Sequence, residues 1–303
     1  MSASAPYDIA DLRRAAAVAS DGFDALLLDA ERLARTVAAG AHGRRRPGPG
    51  ETFWQHRPYA FGDPAATIDW RQSARGAGRL FVRQTEWEAA ATAWIWSDPS
   101  ASMEYASDDR FETKRRRADT LAVALTMLLA RGGERIGLCG GVGGGQERPF
   151  HGRGAAERFL EAIAARGDTD TTIPTPQHVA PGAAATLIGD FYTDPAEVER
   201  AVESFAAEGA YGCIVHVADP AEIEFPFAGR TEFQDLESPA RLTFGDAAAV
   251  AADYRAAFAA HRARLGELCD SLGWTFVAHA TDEPATTALL SVYVALSDGA
   301  RAA

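Results

Sequence analysis

From about residue 85 onward, the sequence alternates between strand-like and helix-like segments. Short apolar runs, such as residues 89–97 and 184–188, are separated by longer stretches whose apolar residues recur every three or four positions, as they do between Ala118 and Leu129. This alternation is typical of parallel strands joined by crossover helices. It predicts an α/β fold, namely a Rossmann-like, doubly wound, mainly parallel sheet with helices on both faces.

The segments before and within this pattern predict the domain organisation. Residues 1–40 form an N-terminal helical segment, and residues 41–88 form an irregular module rich in Gly, Pro, Arg and aromatic residues. Eight arginines lie between residues 44 and 83, so this module is locally basic. Residues 89–298 form the α/β domain, and residues 219–245 are predicted to be an insertion resembling a short β-hairpin.

Composition excludes several classes of function. The formal net charge of -12 argues against a general nucleic-acid or anionic-membrane binder, because such partners require a positive field. Three isolated cysteines predict neither a zinc site nor a disulfide framework. No membrane span and no leader peptide are expected, because no long apolar run is found. The sequence therefore predicts a soluble, cytoplasmic protein.

The most informative polar residues follow the first strand of the α/β domain. Asp98, Ser100 and Ser102 lie at its carboxyl end, where alternate side chains can face one cation. Asp190 follows the apolar strand 184–188 and would bring a second carboxylate to the same edge. Hard oxygen ligands suit Mg²⁺, or a similar ion such as Mn²⁺ or Ca²⁺, better than zinc.

These residues resemble the metal-ion-dependent adhesion site of von Willebrand factor A domains. In that motif the serines, a later threonine and an aspartate surround Mg²⁺. The resemblance implies a von Willebrand factor A-like domain, and it implies that Thr169, within Gly167-Asp168-Thr169-Asp170, is a further ligand. Ile173-Pro174 follows too closely for the usual helix to continue there, which departs from the motif.

A longer series upstream resembles the bacterial family called domain of unknown function fifty-eight. The series reads Arg57-Pro58-Tyr59, Gly62-Asp63, Ile68-Asp69-Trp70 and Ala74-Arg75. Members of that family are similar to accessory proteins of MoxR-type AAA+ ATPases, thought to assist the maturation or assembly of other proteins. The resemblance therefore implies a non-enzymatic, chaperone-like module that grips a MoxR-type ATPase and a client protein through its metal.

Two other interpretations stay open on the residues alone. The metal could serve a phosphotransfer or hydrolytic enzyme, although no base or nucleophile is evident near the loop and no catalytic residue is predicted. Alternatively, Asp98 and the serines could form only a polar turn that caps a helix in a metal-free scaffold. The glycine-rich run 140–145 lacks the Lys-Ser/Thr pair of a phosphate-binding loop and is predicted to be a surface loop.

Overall fold

The computed structural model describes residues 28–37, 53–60, 68–75, 79–85, 92–140, 148–152, 154–166, 172–174 and 178–302. The chain divides into two compact units. The smaller comprises Ala41–Ala91, and the larger comprises Met1–Gly40 together with Thr92–Ala303.

The smaller unit contains a two-stranded antiparallel sheet. Strand β1 (Phe53–Pro58) pairs with β2 (Phe81–Thr85). The short helix α2 (Trp70–Ser73) lies between them in sequence, and the Asp69 side chain caps it by accepting from the backbone N–H of Gln72. The prediction of a wholly irregular module is thus wrong for its described residues. The two strands are distant in sequence, and whether such short segments form strands depends on the tertiary contacts between them. The local sequence therefore did not predict this pairing.

The larger unit is built on a five-stranded parallel sheet. Its strands are β3 (Thr92–Ser97), β4 (Arg135–Leu138), β5 (Ala184–Gly189), β6 (Tyr211–Ala218) and β9 (Thr275–Ala280). Their order across the sheet is β4-β3-β5-β6-β9, with every neighbouring pair parallel. An isolated antiparallel bridge joins Ile136 to Phe150 beside the β4 edge.

Helices cover both faces of this sheet. They are α1 (described over residues 28–37), α3 (Lys114–Arg131), α4 (Ala155–Arg166), α5 (Pro195–Ala207), α6 (Pro220–Glu224), α7 (Ala251–Leu272) and α8 (Ala285–Ala302). Side chains alternate across β3, so Ala93 and Ile95 enter a core with α1, α3, α4 and α8. Trp94 and Trp96 enter the opposite core with α5 and α7. The predicted α/β architecture with helices on both faces is confirmed.

The segment predicted as a hairpin insertion contains helix α6 followed by an antiparallel hairpin. The hairpin consists of β7 (Thr231–Gln234) and β8 (Arg241–Phe244). Aromatic residues of this segment pack against the start of α7, and together they enclose a cavity of about 420 Å³. The cavity wall includes Glu222, which also belongs to the polar cluster described below.

Among the described residues, no helix combines the length and the apolar character needed to cross a lipid bilayer.

Candidate metal centre

The centre of interest lies where β3 and β5 end side by side. Ser97 of β3 is in register with Ile188 of β5, and the backbone N–H of Asp98 donates to the Ile188 carbonyl over 2.9 Å. The chain crosses from β3 to β4 on one side, whereas β5, β6 and β9 extend the sheet on the other. Such a switch in strand order opens a crevice at the carboxyl edge, where doubly wound folds bind ligands.

Four of the five residues predicted to bind metal meet at this edge. The backbone N–H of Ser100 donates to Oδ1 of Asp98 over 2.9 Å, and the Oγ atoms of Ser100 and Ser102 lie 3.1 Å apart. Ser102 Oγ donates to Oδ2 of Asp190 over 2.8 Å. Residues from two distant segments therefore form one continuous polar cluster. The fifth predicted ligand, Thr169, lies outside the described residues.

One carboxylate oxygen of the cluster receives no hydrogen bond from the described residues. Asp98 is fully buried, and no side chain or backbone group in the described ranges donates to its Oδ2 atom. Burial, together with the nearby charge of Asp190, raises the pKa of Asp98 to about 7, although hydrogen bonds from Ser100 oppose the rise. A buried anionic oxygen without a donor is costly unless a cation or proton compensates it. Asp98 is thus poised to accept a positive ligand.

A glycine permits the close approach of the two strand ends. A Cβ atom built on Gly189 would lie 2.8 Å from both Cβ and Oδ2 of Asp98. Any larger residue at position 189 would therefore displace the Asp98 carboxylate from its place beside β5.

The loop after β5 holds Asp190 in one orientation. Oδ1 of Asp190 accepts from the backbone N–H of Tyr192 over 3.1 Å, and its backbone carbonyl lies 2.9 Å from Nε2 of His261. The next residue, Phe191, has a φ of 57°, which is strained for a non-glycine residue. Phe191 is fully buried and its ring packs against Trp96, so core packing offsets the strain.

A buried lysine that the sequence analysis missed completes the cluster. Lys114, at the start of α3, is only 1% exposed, and its Nζ donates to Oδ2 of Asp190 over 2.8 Å and to Oε1 of Glu222 over 2.6 Å. The ammonium also lies 4.9 Å from the centre of the Tyr192 ring. Burial disfavours the ammonium, but the two carboxylates outweigh this effect, and the pKa of Lys114 lies above its usual value. The two carboxylates therefore favour the charged, ammonium form of Lys114 within the cluster.

The sequence contained a signal for this residue. Lys114 is the sole lysine among 30 basic residues, and all the others are arginine. An ammonium is compact, whereas a guanidinium is a flat fork. The single use of lysine at position 114 therefore indicates a specific requirement for an ammonium there.

Glu222 connects the cluster to the end of β6. Its Oε2 accepts from the backbone N–H of Asp219 over 2.8 Å, which forms a capping box at the start of α6. Asp219 in turn accepts from the backbone N–H of Ser107 over 2.9 Å. The ends of three strands, β3, β5 and β6, are thus tied together around Lys114.

The chemistry of the cluster limits the ion it could hold. Across the described ranges, no group of three His, Cys, Asp or Glu side chains is close enough to bind a metal ion. An ion at Asp98 would rely on two carboxylates, the two serine hydroxyls and water. This donor set suits a hard cation that keeps part of its hydration, such as Mg²⁺.

Comparison with known proteins gives relatives without an assigned activity. The chain is 28% identical to the uncharacterized protein Rv1480 of Mycobacterium tuberculosis (strain H37Rv) over 256 residues, which are 81% of this chain and 80% of the relative. The same values hold for the uncharacterized protein Mb1516 of Mycobacterium bovis.

Two solved structures resemble the chain weakly. One is the conserved hypothetical protein BatB from Bacteroides thetaiotaomicron (14% identity, TM-score 0.38), and the other is an aerotolerance-related membrane protein from Bacteroides fragilis (15% identity, TM-score 0.42). Each similarity covers 69% of this chain and 99% of the solved one. These scores are too low to establish a shared fold.

The family comparison is decisive, and it agrees with the upstream Arg-aromatic series. The profile described as "Protein of unknown function DUF58" matches residues 55–264, which is more than half of the chain. The chain belongs to the DUF58 family of proteins of unknown function.

Proposed function

We propose that this protein is a non-enzymatic, metal-dependent protein-interaction module of the von Willebrand factor A type. Asp98, Ser100, Ser102 and Asp190 hold a Mg²⁺ ion, and the ion offers an open coordination position to a carboxylate of the partner. The observation that carries the proposal is the buried Oδ2 of Asp98, which has no donor among the described residues and lies in a cluster with two hydroxyls and a second carboxylate.

The architecture around the cluster supports the same proposal. The proposed ligands come from the loops that follow β3 and β5, at the carboxyl edge of the parallel sheet. These two strands are neighbours, and the chain continues from β3 to β4 on one side of them and from β5 to β6 on the other. Ser102 donates to Asp190 and Ser100 N–H donates to Asp98, so the oxygen donors are arranged before any ion arrives. Preorganised donors reduce the cost of binding.

The bonding of the basic groups near the cluster supports a role in binding rather than in catalysis. The raised pKa of Lys114 keeps its ammonium charged, which makes it unsuitable as a proton acceptor. His261 lies against the backbone carbonyl of Asp190, and His216, which is deeply buried, has a pKa far below its usual value. Lys114 and His216 are therefore poor candidates for the general base that a hydrolytic role of the ion would require.

The proposed partners are a MoxR-type AAA+ ATPase and a client protein whose maturation or assembly it assists. This part rests on the resemblance of residues 57–75 to the family's motif series and on the family match. In this arrangement the partner supplies the carboxylate that completes the coordination of the ion.

The test combines metal binding with partner capture. Asp98→Ala is compared with Asp108→Ala, which removes a half-buried aspartate whose carboxylate pairs with Arg110 in the described contacts of that loop. We expect Asp98→Ala to lose the heat of Mg²⁺ binding in calorimetry and to lose capture of the purified ATPase, whereas Asp108→Ala retains both. Capture that persists in Asp98→Ala with Mg²⁺ present would refute the proposal. Absence of Mg²⁺ or Mn²⁺ heat in the unaltered protein would indicate a metal-free scaffold.

A further inference from the structure

Lys114 is buried and contacts three polar or aromatic side chains through its ammonium. The side chain is 1% exposed, its ammonium contacts Asp190 and Glu222, and the Tyr192 ring lies beside it. An ammonium is compact and can donate in three directions, whereas a guanidinium is a rigid, flat fork. Lys114 is also the one lysine in a chain that otherwise uses arginine.

The charge of the cluster follows from its directly bonded members. Among the described residues of the cluster, Asp98, Asp190 and Glu222 are three carboxylates, and the ammonium of Lys114 is bonded to Asp190 and Glu222. With all four groups ionised the cluster carries two negative charges, which a divalent ion would balance. Without the ammonium, a bound divalent ion would leave one negative charge in the cluster.

That remaining charge matters for an acidic partner. A partner carboxylate that approaches a negative centre is repelled, and the repulsion is strong where water is excluded. A carboxylate that approaches a neutral centre with an open coordination position meets no such barrier.

We infer that Lys114 is a positioning residue that sets the charge of the site. Its ammonium lowers the affinity of the site for the divalent ion and thereby allows the ion-loaded site to accept a carboxylate. The inference rests on the proposed function and deepens it. It requires that metal affinity and carboxylate affinity change in opposite directions when the charge beside Asp190 is altered.

Nearby charges do not alter this comparison. Arg115 lies beside Glu104 and Asp119, and Arg166 donates to the carbonyl of Ser97. Asp219 accepts from two backbone N–H groups. These groups are identical in every variant, so they contribute equally to each member of the comparison.

Three variants form a charge series around the unaltered protein. Lys114→Met removes a positive charge, Glu222→Gln removes a negative charge, and the double variant removes both and restores the original total. We expect Lys114→Met to bind Mg²⁺ about tenfold more tightly and an acidic peptide about tenfold more weakly. Glu222→Gln should show the reverse, and the double variant should return to within about threefold of the unaltered protein in both measurements.

Two titrations measure the two affinities. Calorimetry gives the dissociation constant for Mg²⁺ alone. NMR titration of the Mg²⁺-saturated protein with an acetylated tetrapeptide that contains one glutamate gives the carboxylate affinity, and the glutamine version of the peptide is the control. Thermal unfolding followed by circular dichroism verifies that each variant is folded. If Lys114→Met fails to fold, Glu222→Gln and the double variant still test the inference.

The outcomes distinguish failure of the inference about Lys114 from failure of the proposed function. Opposite changes in Mg²⁺ and peptide affinity, with recovery in the double variant, support the inference. If the unaltered protein binds Mg²⁺ but Glu222→Gln leaves both affinities unchanged or shifts them in the same direction, the inference is overturned and the proposed function stands. If the unaltered protein binds no divalent ion, both are overturned.

Discussion

Nζ of Lys114 lies 2.8 Å from Oδ2 of Asp190 and joins the first turn of α3 to the loop after β5. Ser102 Oγ donates to the same carboxylate oxygen. One atom of Asp190 therefore connects the loop that contains Ser102 to the buried ammonium. A buried carboxylate that receives two such donors is held in one geometry, because loss of either donor would leave part of its charge unsatisfied.

The unpartnered oxygen of Asp98 predicts a conflict between stability and binding. In the absence of divalent ions, Asp98→Asn should raise the free energy of unfolding by about 1–3 kcal/mol, because a neutral amide replaces a buried carboxylate with no donor on Oδ2. If the unaltered protein binds Mg²⁺ as proposed, the ion should raise its melting temperature, and the same variant should lose that rise. Differential scanning calorimetry with EDTA and with Mg²⁺ measures both effects. An unstable variant that still responds to Mg²⁺ would contradict this explanation.

Glu134 predicts a pH dependence of stability that is independent of the metal centre. Burial raises the pKa of Glu134 from 4.5 to about 7 in the folded protein. Below pH 4.5 Glu134 is protonated in both the folded and the unfolded state, so it does not change the free energy of unfolding. As the pH rises from 4.5 to about 7, Glu134 ionises first in the unfolded state, and the free energy of unfolding falls. Glu134→Gln should therefore be about 2 kcal/mol more stable than the unaltered protein at pH 8.

The matching control is the same comparison at pH 4, where we expect no difference between Glu134→Gln and the unaltered protein. Urea unfolding at both pH values provides the free energies. A stabilisation that is equal at pH 4 and pH 8 would mean that ionisation of Glu134 is not its cause.

Two glycines of the larger unit should respond to alanine in opposite directions. A Cβ atom on Gly212, in β6, would lie 2.2 Å from the backbone carbonyl oxygen of Ala185 in β5, so Gly212→Ala should destabilise the protein by about 2–3 kcal/mol. In α7, a Cβ atom on Gly266 would meet only Cδ1 of Phe276 at 3.8 Å, so Gly266→Ala should stabilise the protein by about 0.5–1 kcal/mol. Urea unfolding of both variants measures the difference, and similar effects of the two changes would contradict the strand packing described for β5 and β6.

Much of the fold could be predicted because its signals are local. The helical stripe between Ala118 and Leu129 lies within α3, and the pair Asp194-Pro195 begins α5, with the aspartate side chain accepting from the N–H of Ala196. Periodicity and caps depend on residues a few positions apart, so a single sequence carries them. The pairing of β1 with β2 could not be predicted in this way, because its partners are more than twenty positions apart in the chain.

The site was predictable in part for the same reason. Asp98 and Asp190 each follow an apolar strand, and parallel strands end at a common edge, so their proximity could be inferred from the sequence. Lys114 begins a helix within a run of charged residues, a position that normally faces solvent. Its burial follows from contacts with residues 76 and 108 positions away, which no local pattern encodes.

The sequence by itself determined the main strands and helices of the larger unit and which oxygen-bearing side chains stand at its strand ends, because both depend on short-range order along the chain. Only the tertiary structure decided which of those oxygens lacks a donor and which charge lies beside it. Within the described residues, Oδ2 of Asp98 has no donor and Lys114 lies between Asp190 and Glu222, and the burial of Asp98, Lys114 and Asp190 removes these groups from water. Desolvation and charge pairing arise from atoms brought together in space, and they turn a common Asp-x-Ser-x-Ser loop into a candidate metal centre.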